Sequence, residues 1–180
     1  MPIGSGCYSS RGVSVWRDRY GGGSLSGRWS DVASPHAVAE AFFIESRDDL
    51  EAAALLADHG KHSKCLEHAQ KAAEKSLKGA LALRGVILAV HAVTETFVVE
   101  FSDLLSEESI RRLQDAADAL EGRGTRFEYP FFGRPDLPVW IPSRDITASE
   151  AREGLDHARC VCAIVAGLPL GRVEDLHADR

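Results

Sequence analysis

The 180 residues are 44% hydrophobic and 27% charged, the make-up of one ordinary globular domain able to bury a core. A net charge of -6 does not give the basic field of a general nucleic-acid binder, and no DNA-readout motif occurs. No apolar run reaches the roughly eighteen residues of a membrane span, and no apolar leader opens the chain.

Residues 1–33 hold glycine and serine punctuation such as "YGGGSLSG" and four arginines against two aspartates. Such a segment buries too little to repay the entropy of ordering, so a flexible tail is expected. "GGGSLSGRW" lacks the spacing of a phosphate loop. A first helix is signalled by Ser34 as cap, Pro35 at the first helical position and Gly60 as the left-handed stop. Phe42, Ala53, Leu56 and Ala57 recur along it at helical spacing. A second helix is expected from about His62 to Arg84, stopped by Gly85. Its stripe of Leu66, Ala69, Ala73, Leu77, Ala80 and Leu81 falls at offsets of three and four, and its alanines allow a neighbouring helix to approach closely.

"VILAVHAVTETFVVEF" carries the branched residues of a strand but has no partner strand, so a linker and a helix from about His91 to Phe101 are expected. Ser106 with Glu107 and Glu108 opens a further helix that closes near Gly122. Residues 123–143 hold four prolines and the aromatics Phe127, Tyr129, Phe131, Phe132 and Trp140, an ordered loop whose rings could stack bases but are rather expected to cover the end of the bundle or pack into a dimer partner. Thr147 and Glu150 form a capping box for a last helix through about Ala166. The fold class is all-α: an antiparallel, up-and-down bundle of about five helices over residues 34–168, followed by a short tail at 169–180.

"DDLEAAALLADHGKHSKCLEHAQKAAEKSLKGALALRG" resembles the first two helices of the HEPN domain (higher eukaryotes and prokaryotes nucleotide-binding), in its stand-alone prokaryotic form. Asp49-Leu50 with Ala53 matches the family's opening. Ala69, Gln70, Ala73, Glu74, Lys75, Leu77 and Lys78 match its second helix, with Gly79 where alanine is usual. His91 matches a downstream histidine, Tyr129-Pro130 a loop motif, and "ITASEAREGLDHA" the final helix. The resemblance implies a homodimer linked to nucleotide or RNA chemistry, often beside a minimal nucleotidyltransferase partner in a toxin–antitoxin arrangement. Members that cleave RNA carry arginine and histidine separated by four to six residues and need no metal.

Arg84 and His91 meet that spacing: histidine can move a 2′-hydroxyl proton while arginine holds a phosphate. Against this, Arg84 suits a helix C-terminus on dipole grounds alone. Gln70, Glu74 and Lys78, with Lys75 alongside, form either a nucleotide-binding face or a plain ladder of helix pairs. His59, His62, Cys65 and His68 rotate steadily round their helix, which closes no tetrahedral metal site. Neither a metal nor a cofactor is expected. Cys160 and Cys162 point about 200° apart on a helix and cannot pair; with Cys7 and Cys65 they read as reduced thiols of a cytoplasmic protein. The readings are a nucleotide- or partner-binding module, a metal-independent RNase, and a non-catalytic assembly scaffold.

Overall fold

Helix α1 (Pro35–Asp58) begins where Ser34 accepts a hydrogen bond from the Ala37 amide at 3.1 Å and Pro35 occupies the first turn. The computed structural model describes residues 34–122, 124–133 and 138–170. The expectations for residues 1–33 and 171–180, including Cys7, lie outside the described residues. Gly60 stops α1 at φ 68°. The Lys61 amide donates to Leu56 O and the Gly60 amide to Ala57 O, which satisfies the last carbonyls. Gly85 ends α2 (His62–Leu83) in the same way, at φ 76° with Val86 donating to Leu81 O.

The remaining elements are α3 (Thr94–Glu100), α4 (Glu107–Leu120), a 3-10 turn (Gly124–Phe127), the single turn α5 (Pro142–Asp145) and α6 (Ala148–Ala166). Five longer helices therefore make the bundle, and the only β pairing among the described residues is one antiparallel bridge between Phe131 and Trp140. The expected stripe on α2 is buried throughout, and Cys65, Ala72, Ser76 and Gly79 bury a second side of the same helix. α2 is thus the central helix, packed chiefly between α1 and α6. The capping box is formed: Thr147 Oγ1 accepts from the Glu150 amide while Glu150 Oε2 accepts from the Thr147 amide.

Four details differ from expectation. Phe43, one position beyond Phe42, is the ring that packs against the core; a Cβ on Gly79 would sit 2.6 Å from its Cε1. α3 starts at Thr94 instead of His91. Its cap comes from elsewhere: Glu121 Oε1, just past α4, accepts from the amides of Val93 and Thr94 and from Thr94 Oγ1, at 3.2, 3.3 and 2.8 Å. The proline-rich loop contains two helical turns. Past the expected end of the bundle at 168, Leu170 still packs against the core.

Candidate functional site

The ladder on α2 places one carboxylate between a lysine and a histidine. Lys78 Nζ donates to Glu74 Oε1 at 2.7 Å, and both side chains are only 12% exposed. His91, in the loop after α2, sets its Nδ1 3.2 and 3.1 Å from the two Glu74 oxygens. A carboxylate only accepts, so Nδ1 carries a proton and donates it, and Nε2 is left as the outer nitrogen. The imidazole is 85% exposed, so Nε2 is open to solvent. Gln70, half-buried one turn before Glu74, makes no side-chain hydrogen bond among the described residues.

Arg84 is engaged separately. Its guanidinium lies 4.8 Å from the Phe101 ring centroid and 3.7 Å from Asp103 Oδ1. Aromatic stacking and a carboxylate just past the end of α3 therefore hold Arg84, while α2 holds His91. Lys75 does not join the ladder: it turns to α1, 2.7 Å from Asp49 Oδ2 and 3.0 Å from Glu45 Oε2. Burial alone would lower the Lys75 pKa, but those two carboxylates outweigh it and hold the ammonium above its ordinary range.

Asp49 is a partner that side-chain patterning did not single out. It is buried on α1, and its second oxygen lies 2.7 Å from His68 Nδ1. One carboxylate thus joins α1 to both His68 and Lys75 on α2. The members of the histidine row take separate partners. His59 Nδ1 bonds Leu55 O at 2.8 Å, Cys65 donates to Ala151 O, and His68 goes to Asp49. Among the described residues no three His, Cys, Asp or Glu side chains converge to hold a metal ion, and Cys65, Cys160 and Cys162 are free thiols.

The aromatic loop divides. Phe127 is buried, and Arg126 lies 4.3 Å over the Trp140 ring, whose Nε1 donates to Arg126 O. Tyr129, Phe131 and Phe132 are largely exposed, so these three rings do not cover the end of the bundle within the single chain. No helix among the described residues is long and apolar enough to cross a membrane.

The family model of the HEPN domain matches residues 39–168. The protein MJ1304 of Methanocaldococcus jannaschii, provisionally named a toxin, is 27% identical over 71% of this chain and 85% of its own length. The crystal structure of TT1696 from Thermus thermophilus superposes with a TM-score of 0.59 at 27% identity, covering 71% of this chain and 95% of that one. ST0689, an archaeal HEPN homologue, shares the fold with a TM-score of 0.51 at 19% identity, over 72% and 95% of the two chains.

Proposed function

Because this chain belongs to the HEPN domain family, we propose that it is a helical module of a toxin–antitoxin-like system. In this reading it works as a homodimer that binds a nucleotide, or a minimal-nucleotidyltransferase partner, along the Gln70–Glu74–Lys78 face of α2 and its flanking His91. The toxin-like context rests on the name of the related archaeal protein. The observation that carries the binding reading is the state of that face. Glu74 is already matched by Lys78 and His91, while the Gln70 amide and the outer His91 nitrogen have no partner among the described residues. An amide donates and accepts, which suits a base edge, and a protonated imidazole suits a phosphate oxygen. Calorimetry with nucleoside mono-, di- and triphosphates tests it: saturable binding that weakens in Gln70→Ala and His91→Ala is expected, and no heat at millimolar nucleotide overturns it.

A second reading, metal-independent RNA cleavage by Arg84 and His91, is favoured by the Glu74–His91 contact. A carboxylate on Nδ1 orients the imidazole and leaves Nε2 facing outward for proton transfer. In this reading the phosphate takes the place of Asp103, which lies 3.7 Å from an Arg84 guanidinium that is itself 41% exposed, in a site formed with the second protomer.

A further inference from the structure

Away from that face, α1, α2 and the end of α6 surround a cavity of about 520 Å³, within the several-hundred-Å³ range of small-molecule sites. Phe43, Leu50, Leu83 and Val165 contribute apolar wall. Its deep lining is small and polar: Ser46 and Ser76, both almost fully buried, with Cys162 beside them. The Ser46 hydroxyl is already committed, donating to Ala72 O at 2.7 Å with Cys162 Sγ 3.7 Å away. Burial pushes the Cys162 thiol up, which keeps that sulfur neutral. The interior therefore offers no charge and little free hydrogen-bonding capacity, and only an apolar body can enter without a desolvation cost.

Arg47 is the single charged residue of the described lining. It is exposed and makes no ion pair among the described residues. A lone guanidinium beside an uncharged cavity matches a molecule with an apolar body and one carboxylate, since arginine grips a carboxylate through two parallel hydrogen bonds. We propose that this cavity binds a small monocarboxylate with an apolar body, seated between α1 and α6 with its carboxylate on Arg47. The site is separate from the α2 ladder and does not rest on the nucleotide reading. Its occupant would bridge α1 and α6 and stabilise the bundle increasingly as its concentration rises.

Octanoate is a suitable probe, titrated into the full chain and followed through side-chain methyl NMR. Saturable shifts are expected at Leu50, Leu83 and Val165 and not at Leu155, which belongs to the core away from the cavity. Octylamine and octanol carry the same chain without the negative charge, and each is expected to bind about tenfold more weakly or worse, the scale of one charge-assisted contact. Arg47→Glu, on an exposed position, should weaken octanoate by at least about tenfold, and Ser76→Leu should abolish binding by filling the deep end. If Ser76→Leu fails to fold, Arg47→Glu decides alone. No saturable octanoate binding, equal binding of octylamine, or undiminished binding to Arg47→Glu overturns the proposal.

Discussion

His91 Nδ1 lies 3.1 Å from Glu74 Oε2 across the loop that follows α2, so a nearly buried carboxylate aims an almost fully exposed imidazole. The contact turns the histidine from a residue of unknown attitude into one with a defined proton and a defined outer nitrogen.

If the protein cleaves RNA, His91→Ala should lower the rate by about 10²–10⁴, the usual worth of a general acid or base. Glu74→Gln, which keeps the shape but not the charge, should lower it less, because the imidazole loses the carboxylate that orients it. A chelator should have no effect. Equal cleavage by the parent and His91→Ala, or none by either, ends the catalytic reading.

Gly79→Ala sets two effects against each other. Alanine favours an exposed helix interior by about 1 kcal/mol over glycine. Here, however, the added Cβ would meet the Phe43 ring at 2.6 Å, and overpacking typically costs about 1–3 kcal/mol. Net destabilisation is expected in urea unfolding, together with recovery in the Gly79→Ala, Phe43→Leu pair. Recovery is the diagnostic result, since Phe43→Leu alone removes core packing.

Asp49→Ala removes the carboxylate that His68 and Lys75 share and leaves both half-buried groups without it. A loss of about 1–3 kcal/mol is expected, in the range of an unsatisfied buried group. Asp49→Asn, which keeps one neutral acceptor oxygen and puts an N–H donor in place of the other, should fall between the parent and the alanine variant. A loss no larger than that of an exposed control such as Glu51→Ala would show that the α1–α2 link carries little.

Glu121→Ala strips α3 of its cap. About 1 kcal/mol of stability is expected to go, the usual worth of a helix cap. Amide exchange should quicken first at Val93 and Thr94, whose N–H groups donate to Glu121. Unchanged exchange at those two amides would contradict the assignment.

Glu67 accepts from Lys64 and Lys71 at 2.7 and 2.6 Å. Burial alone would raise its carboxyl pKa, but hydrogen bonds and charge from the two lysines hold it below the ordinary carboxylate value. A depressed folded-state pKa contributes stability that is present above the unfolded value of about 4.3 and lost as pH falls through the lower folded value. Glu67→Gln should therefore cost a few tenths of a kcal/mol per pair near neutrality and flatten the acid limb of the stability curve below about pH 4.3. An acid limb identical to the parent's would refute it.

Much of the helical order was legible from local signals. Caps at Ser34, Ser106 and Thr147 and the glycine stops at 60 and 85 act within one turn of the chain, and the Leu–Ala stripe of α2 reports its own buried face. The boundary of α3 was not legible, because its cap is Glu121, whose distance in sequence hides the contact. The aromatic loop was legible only in part for a related reason: which rings the single chain buries, Phe127 but not Phe131 or Phe132, depends on how the loop folds back around the bridge to Trp140.

The candidate site divides along the same line. By itself the sequence determined that Gln70, Glu74 and Lys78 share one face of a helix, since a 3.6-residue repeat decides that locally. Only the tertiary structure decided which charges that face keeps for itself. It drew Lys75 across to Asp49, tied His91 to Glu74 and carried Arg84 to Phe101 and Asp103. Each of those pairings joins residues that helical periodicity does not relate, and their geometry is set by how α1, α3 and the loop after α2 pack around the central helix.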